Sequence, residues 1–268
     1  ATAYHFDLVV HSDYPLALIR QLPHDKQIDI HLKINTGMNR LGFSINTVNK
    51  VYKQLKNDDR INEIVFMSHF ANADKTNGTD RQYQAIEKLM NDFNEPFSIA
   101  NSAALISDNK THADWVRPGI MLYGATPFDF SQKIPDLKPV MTLRSEVISI
   151  QEIKKGQGVG YGEDFVASKD MRIATVACGY ADGYPRHAPT GTPVVIDGIK
   201  TKTVGRVSMD MLAVDITDLG NVNYGSMVEL WGEQLSVDEV ANNAKTVGYE
   251  LLCAISSASR VPIDINYG

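Results

Sequence analysis

The first candidate for chemistry is Arg40, in a polar loop that directly follows a run of apolar and β-branched residues. Gly37 and Gly42 bracket this arginine, so the backbone can turn tightly and aim the guanidinium inward. Loops that follow the strands of a parallel α/β barrel form the active face of that barrel. Arg40 is therefore a candidate binding residue; the alternative is an ordinary loop whose arginine faces solvent.

His69 occupies the same place one unit later, in the polar segment 68–74. An imidazole at this position can act as a general base, a metal ligand or a hydrogen-bond relay. Asp74 lies five residues on, which is not a helical metal-ligand spacing, and the segment holds neither a cysteine nor a second histidine. We therefore expect no metal site here. A structural histidine at a strand end is the alternative.

Two turns near the end of the first half have the composition of a phosphate site. They are residues 101–103 (Asn-Ser-Ala) and 117–120 (Arg-Pro-Gly-Ile), and each follows a strand-like run. In (β/α)₈ enzymes, backbone N–H groups and a helix N-terminus at this position commonly hold a phosphate. Ser102 can donate a hydrogen bond, and Gly119 lets a ligand approach the backbone. Taken alone, Asn101 is simply a good helix N-cap.

Three glycine-rich turns mark the second half. Residues 156–162 (Gly-x-Gly-x-Gly-Tyr-Gly) resemble a nucleotide-binding loop, but no helix is expected after them, so a hairpin is the better interpretation. Its flanking glycines leave the Tyr161 phenol free to protrude. The segments 179–186 and 205–210 are similarly polar. Asp182 and Asp210 have the alternative role of bonding turn N–H groups.

The elements that position these residues change character along the chain. The first half alternates five β-rich runs, the last of them continuing to Ile120-Met-Leu-Tyr123, with amphipathic helical stretches, which predicts parallel strands joined by crossover helices. This pattern fits an incomplete (β/α)₈ barrel or an open doubly wound sheet. Five parallel strands cannot close an eight-stranded barrel, and an open edge exposes unpaired backbone groups.

From about Leu137 onward, short strand-like runs follow one another with Gly, Asp and Asn between them, which indicates an antiparallel sandwich or barrel. Asp197-Gly198 has the composition of a two-residue hairpin turn. Ser236 and Glu239 have the spacing of a capping box at the start of a late helix. We therefore predict two domains, residues 1–133 and 134–268.

Composition excludes several classes of function. The 268 residues carry 32 Asp and Glu against 26 Lys and Arg, a formal net charge of −6, which argues against a nucleic-acid partner. The two cysteines form no disulfide framework and no C-x-x-C pair. No apolar run reaches the length of a membrane span, and the first residues do not have the pattern of a signal peptide. These features predict a cytoplasmic protein without a membrane partner.

The ordered set of motifs resembles the alanine racemases over nearly the whole chain. It comprises residues 31–42, 69–74, 101–103, 117–124, 160–162, 179–185, 205–210, 249–252 and 260–262. The resemblance implies a (β/α)₈-type (TIM-like) barrel followed by a mostly antiparallel β domain. It also implies a homodimer with shared active sites, pyridoxal 5′-phosphate as cofactor, and interconversion of L-alanine and D-alanine for bacterial peptidoglycan.

The resemblance also implies roles for residues that contact the cofactor. These are the phosphate ligands Ser102, Gly119 and Ile120, the pyridine-nitrogen partner Arg117 with His69 hydrogen-bonded behind it, and Arg40 at the phenolic oxygen. An arginine at the ring nitrogen is not readily deprotonated, so that nitrogen stays unprotonated and transamination is disfavoured.

For the substrate, the resemblance implies that Arg40 helps to hold the carboxylate and that Met209 supplies a backbone contact. Tyr180 lines the entrance, and Lys33 matches a lysine that many members carry as a carbamate. Tyr161 is the expected base on one face, reaching into the barrel of the partner subunit. Racemisation removes the α-proton from one face and returns one to the other, so a second acid–base group must face Tyr161.

Two departures from the family pattern stand out. The Schiff-base lysine lies in a Lys-Ala-Asn-Ala-Tyr-Gly segment that does not occur here. We expect about three βα units to be absent from the front and the chain alone to be inactive. Ser259 replaces a phosphate-binding tyrosine.

Three alternatives remain: a racemase for serine or with broad specificity, a decarboxylase of basic amino acids, and a non-catalytic carrier or fragment. Arg117 argues against the decarboxylase, and Tyr161 against the carrier.

Overall fold

The computed structural model describes residues 2–129, 136–257 and 261–265, with only the backbone described at residues 256 and 257. These residues form two compact units, Ala1–Gly119 and Ile120–Gly268. The domain boundary predicted between residues 133 and 134 lies outside the described residues, as does Ser259. No helix in the described part of the chain is long and apolar enough to cross a membrane.

The first unit alternates strands and helices, as predicted. Its elements are β1 (Leu8–Val10), α1 (Asp13–Ile19), β2 (Ile28–Asn35), β3 (Phe43–Ser44), α2 (Ile45–Lys56), β4 (Ile61–Met67), α3 (Asp80–Asp92), β5 (Phe97–Ala100), α4 (Ser102–Ser107) and β6 (Trp115–Val116).

Five strands form one parallel sheet in the order β1-β2-β4-β5-β6, and the short β3 pairs with β2. Because all the strands run the same way, their carboxyl ends meet at one edge, where the polar loops lie. The sequence-based extension of the fifth strand to Ile120–Tyr123 is wrong: those residues form a 3₁₀ turn.

The strand β2 illustrates how the two faces of the sheet differ. Its even positions from Ile28 to Ile34 are buried, while the odd positions are only half-buried, so Lys33 lies on the face opposite the apolar one. The helix α2 buries Val48, Val51 and Leu55, which share one face of the helix. The sheet therefore has an apolar face packed by helices and a second face that carries polar side chains.

The second unit is mostly β. It contains β7 (Leu143–Ile153), β8 (Gly158–Val159), β9 (Phe165–Val166), β10 (Met171–Val176), β11 (Pro193–Ile196), β12 (Ile199–Val204), β13 (Leu212–Asp215), β14 (Met227–Trp231), α5 (Val237–Asn243) and α6 (Gly248–Ser257).

Six of these strands close into an antiparallel barrel in the order β10-β13-β12-β11-β14-β7. The barrel alternative of the prediction is therefore correct. Its core is aliphatic, with Val194, Val214 and Leu230 fully buried, and Tyr184 stacks on Trp231 beside it. Closure pairs every strand of the barrel on both sides and leaves no open edge.

Two local predictions in this unit have different outcomes. Asp197 and Gly198 both have positive φ, 46° and 83°, between the paired residues Ile196 and Ile199, which confirms the predicted tight hairpin. The capping box is wrong. Ser236 caps α5 by accepting from the Asp238 N–H, and the Glu239 carboxylate pairs with Lys200 on β12 instead.

Candidate active site

A cleft of about 160 Å³ opens at the carboxyl ends of β2 and β4. Lys33, Arg40 and His69 contribute to its lining, together with Val9, Ile34, Asn35, Thr36, Met38, Leu41 and Met67. This lining contains two cations and an imidazole but no carboxylate. Such a set favours an anionic ligand, because the cations in the cleft are not neutralised by neighbouring acids.

Arg117 follows β6 and is held by three neutral acceptors of the same unit. One Nη atom donates to the Ser98 Oγ at 2.5 Å, and the other donates to the Ser68 carbonyl at 2.6 Å. The second Nη atom also lies 3.4 Å from the His69 Nδ1. Burial lowers the pKa of Arg117, yet a guanidinium keeps its proton in proteins. The site therefore contains a fixed, partly desolvated positive charge.

This charge changes the acid–base behaviour of its neighbours. Burial, reinforced by Lys33, Arg117 and Arg40, lowers the pKa of His69 to about 4. Burial, with Arg117 and Arg40, also lowers the pKa of Lys33 from 10.5 to about 8. At neutral pH the His69 imidazole is therefore neutral, and at mildly alkaline pH a large fraction of Lys33 is the free amine.

The side chain of Asn35 stabilises the loop that carries Arg40. The Asn35 Oδ1 accepts the backbone N–H groups of Gly37 and Asn39, at 3.1 and 3.0 Å, and its Nδ2 donates to the Asn39 side chain. Gly42 has a φ of +117°, and a Cβ there would lie 2.7 Å from the Asn35 nitrogen. Glycine is thus required at Gly42, and the loop presents Arg40 at the exposed rim of the cleft.

The predicted phosphate turn has a defined geometry in the first unit. Asn101 caps α4 by accepting the Ala104 N–H, as its N-cap interpretation predicted. The Ser102 Oγ accepts the Gly119 N–H at 2.7 Å, which brings these two candidate residues together. A Cβ on Gly119 would meet only that hydroxyl, at 3.8 Å, so the backbone there is open to a ligand. Ile120 begins the next 3₁₀ turn with its side chain buried.

In the second unit, Tyr161 lies on the turn of the β8–β9 hairpin, and its side chain is 72% exposed. Gly160 and Gly162 on either side have φ values of 73° and 74°. Beside the turn, Arg206 makes a bidentate ion pair with Asp164. The hairpin interpretation of this glycine-rich segment is confirmed, and it displays a phenol on a braced loop.

Met209 and Tyr180 lie on two turns that bond to one another. The Tyr180 N–H donates to the Ser208 carbonyl at 3.1 Å, and the Ala181 N–H donates to the Met209 carbonyl at 2.9 Å. Asp182 accepts the Gly179 N–H at 2.9 Å, which is the turn role weighed for it from the sequence. A carboxylate accepts hydrogen bonds, so a backbone contact from Met209 to such a group would use its N–H.

Four residues around the first-unit site were missed by the sequence analysis: Thr36, Ser68, Gln82 and Ser98. Ser68, just after β4, and Ser98, within the neighbouring strand β5, hold Arg117, which only the sheet order reveals. Gln82 did leave a signal, because it occupies the apolar face of α3 with Ile86 and Leu89 at helical spacing.

Comparison with known proteins finds matches to both halves of the chain. The model of "Alanine racemase, N-terminal domain" matches residues 1–127, and that of "Alanine racemase, C-terminal domain" matches residues 140–263. The catabolic alanine racemase of Klebsiella aerogenes is 48% identical over 97% of this chain and 73% of its own length. The alanine racemase of Erwinia tasmaniensis is 47% identical over the same shares.

Solved structures show the same fold. The biosynthetic alanine racemase of Pseudomonas aeruginosa superposes with a TM-score of 0.92 at 42% identity, covering 98% of this chain and 74% of that one. The alanine racemase of Bartonella henselae, solved with covalently bound pyridoxal phosphate, has a TM-score of 0.81 at 28% identity, over 95% and 72% of the two chains. With its barrel-type unit, its β domain and both family matches, this chain belongs to the alanine racemase family.

Proposed function

We propose that the protein is a pyridoxal-phosphate-dependent isomerase that interconverts L-alanine and D-alanine and so supplies D-alanine for peptidoglycan. One observation carries this proposal: Arg117 is held by neutral acceptors next to Lys33, Arg40 and a neutral His69. The comparisons support the same activity, since relatives 47–48% identical are named alanine racemases.

The residues of the cleft and of the predicted phosphate turn fit the proposed cofactor. The Ser102 hydroxyl and the open backbone at Gly119 suit a phosphate, with Ile120 as the next backbone contact. Arg40 suits a phenolic oxygen. When bound, pyridoxal phosphate supplies an electron sink that makes the α-proton of an amino acid acidic.

In this proposal Arg117 would hold the pyridine nitrogen of the cofactor by a hydrogen bond and would keep its own proton. Its three acceptors in the chain are all neutral, so its positive charge is not cancelled by an acid. A ring nitrogen that accepts from a guanidinium stays unprotonated, which weakens the electron sink and limits side reactions. A decarboxylase of basic amino acids needs an acid at this position, so the racemase is favoured.

We assign the substrate carboxylate to Arg40 and to the Met209 N–H, and the entrance to Tyr180. Lys33 is proposed to carry a carbamate: its amine attacks the carbon of CO₂ and a proton is released to solvent. Burial is the main cause of the lowered pKa of Lys33, and Arg117 and Arg40 add to it; the exchange replaces one of three neighbouring cations with an anion and so relieves the repulsion among them.

Tyr161 is proposed as the base on one face of the substrate, acting in the barrel of a partner subunit within a homodimer. Its exposure on a braced hairpin supports this role. The opposite face is assigned to the lysine of the family's Lys-Ala-Asn-Ala-Tyr-Gly segment, which the 268 residues do not contain. About three further βα units, carrying that lysine, would complete the barrel; this chain together with those units is called the complete enzyme below.

Chiral product analysis tests the proposal. The complete enzyme with pyridoxal phosphate and L-alanine should form D-alanine until the two isomers are equal, and the same end point should be reached from D-alanine. Comparable kcat/KM for serine would instead favour the broad-specificity alternative. The 268-residue chain alone should not racemise alanine, and activity from a verified 268-residue chain would remove the lysine from the mechanism.

A further inference from the structure

An amide lies where the helix α3 should present an apolar side chain. Gln82 shares the inward face of this helix with Ile86 and Leu89, and only 5% of it is exposed. Burying a primary amide is costly unless its hydrogen bonds are replaced. The partners of Gln82 therefore indicate what the amide does.

Every partner of the Gln82 amide belongs to one of the two loops that carry Arg40 and His69. Its Nε2 donates to the Thr36 Oγ1 and to the His69 carbonyl, both at 3.0 Å. Its Oε1 accepts the Ala71 N–H at 2.8 Å. Both amide protons and the oxygen are engaged, so the side chain has one fixed orientation.

The hydrogen bonds of Gln82 are part of a network that continues between the ends of β2 and β4. The hydroxyls of Thr36 and Ser68 lie 2.8 Å apart, and the Ser68 Oγ also donates to the Ile34 carbonyl at 3.1 Å. Thr36 and Ser68 are both buried. These bonds fix the end of β2 relative to the end of β4, and of the bonded side chains of Thr36, Ser68 and Gln82 only Thr36 also lines the cleft.

Two further contacts connect the network to the charged groups. The Ser68 carbonyl accepts from Arg117, and His69 lies next to it in the chain. On the other side, a Cβ added at Gly37 would meet the Gln82 Cγ at 3.5 Å, so the Gln82 stem packs directly against the Arg40 loop.

We propose that Gln82 is a positioning residue of the active site, which acts through Thr36, Ser68 and the backbone of His69 to set the spacing between the Arg40 loop and the His69–Arg117 pair. The inference deepens the proposed function and rests on it for its catalytic consequences. Gln82 itself does not line the cleft.

The test replaces Gln82→Leu, which keeps most of the volume and removes the three hydrogen bonds. The matched control is Leu89→Ala, which removes a buried side chain from the same face of α3 without a hydrogen bond to either loop. A second pair is Thr36→Val against Thr36→Ser, of which only the serine keeps the hydroxyl. Thermal unfolding first establishes a temperature at which all variants are folded.

The first measurement is kcat and KM of the complete enzyme with alanine. Displacement of catalytic groups by about 1 Å can cost on the order of 10²-fold in rate. We expect Gln82→Leu and Thr36→Val to lose about 10- to 100-fold in kcat/KM, mostly in kcat, and Thr36→Ser to recover most of it. Leu89→Ala should stay within about threefold even if it is the less stable protein.

The second measurement needs no turnover. The ring nitrogens of His69 are titrated by ¹⁵N NMR in the chain without cofactor, where Lys33, Arg117 and Arg40 are the charged groups that face it. Gln82→Leu should move the His69 pKa upward from about 4 by roughly one unit, because the ring leaves its buried site among these cations. Leu89→Ala should leave it unchanged.

The two measurements separate the inference from the proposed function. If the complete enzyme does not racemise alanine, the proposed function fails, while the His69 titration still tests the network. If the enzyme is active but Gln82→Leu matches Leu89→Ala in both kcat/KM and the His69 titration, Gln82 is only a packing residue and the positioning role is overturned.

Discussion

The protonation of Lys33 depends strongly on its surroundings. Lys33 projects from the polar face of β2, where burial, reinforced by Arg117 and Arg40, lowers its pKa to about 8. An ordinary lysine, with a pKa near 10.4, is well under 1% neutral at pH 8, whereas about half of Lys33 is the free amine there. Because only the free amine reacts with CO₂, this environment prepares Lys33 for carbamylation.

Labelled bicarbonate tests this directly. In the chain supplied with ¹³C-bicarbonate, a carbamate signal should appear in the ¹³C spectrum and grow from pH 7 to pH 8.5, as the Lys33 proton is lost. The Lys33→Arg variant should lack the signal, and Lys50→Arg, exposed on α2, should keep it. A signal that survives in Lys33→Arg would assign the carbamate to another amine.

The same shift predicts how stability responds to alkali. The folded-state pKa of Lys33 lies below the unfolded value of 10.5, so the unfolded chain binds more protons between pH 8 and pH 10.5. The contribution of Lys33 to stability therefore rises with pH in that window. In the Lys33→Met variant, the urea concentration at the midpoint of unfolding should rise less with pH in this window than it does in the unsubstituted chain.

We expect the hydroxyl of Tyr161 to be dispensable for folding but necessary for racemisation. Tyr161→Phe removes a hydroxyl from an exposed side chain, so the fold should be unaffected. Loss of a general acid–base group typically costs about 10²- to 10⁴-fold, and we expect a loss of that size in the alanine racemisation rate of the complete enzyme. Chiral chromatography from both isomers measures it. The matched control is Tyr224→Phe, equally exposed in the same unit; unchanged turnover in Tyr161→Phe would exclude the phenol from the mechanism.

Many residues of the candidate site could be proposed from the sequence, but the residues that support them could not. Arg40, His69 and Ser102 were found because they follow strand-like runs, and a parallel sheet gathers such positions at one edge. Ser68 and Ser98 hold Arg117 only because β4, β5 and β6 are neighbours in the sheet, which their own sequence does not encode. Gln82 interrupts the apolar stripe of α3, and this polar residue at an apolar position is the signal that the sequence offers.

At the scale of elements, periodicity predicted the strands and helices well, and its failures have local causes. The strand-like composition of Ile120–Tyr123 was overruled because these residues leave the sheet in a 3₁₀ turn. The predicted capping box failed because Glu239 has a stronger partner in the Lys200 ammonium on a neighbouring strand. In both cases tertiary contacts prevailed over a correct local preference.

The hairpin that carries Tyr161 depends on a close backbone approach at Gly205. This residue has a φ of +71°, and a Cβ there would lie 2.7 Å from the Val159 carbonyl of β8. Gly205→Ala should therefore displace the hairpin and cost about 2–3 kcal/mol in the free energy of unfolding, the sum of backbone strain and a clash.

Gly191→Ala is the control for this prediction, since Gly191 has a φ of +99° with nothing within 4 Å of its Cβ position. The Gly191→Ala variant should lose about 1 kcal/mol in the free energy of unfolding, from backbone strain alone. Equal losses in urea denaturation would mean that the close approach at Gly205 contributes nothing.

At the scale of the whole molecule, the two units differ in whether their sheet closes on itself or ends in two outer strands. The six-stranded barrel of the second unit closes on itself, whereas the parallel sheet of the first unit ends at β1 and β6 within the described residues. Sequence patterns distinguished parallel from antiparallel strands because helices separate the former and short turns the latter. They could not choose between a barrel and a sandwich for the second unit, since closure is set by pairing between distant strands.

The proposed homodimer with shared active sites predicts a specific result when two inactive variants are mixed. If each site combines Tyr161 of one subunit with Arg117 of the other, a heterodimer of Tyr161→Phe and Arg117→Leu subunits has one site with both substitutions and one intact site. Random pairing makes half of the dimers mixed, so co-refolding equal amounts of the two complete enzymes should restore about a quarter of the normal racemisation rate. Each variant refolded alone should remain inactive. If both residues instead served the site of their own subunit, every site in every mixture would carry one substitution, and no activity would return at any mixing ratio.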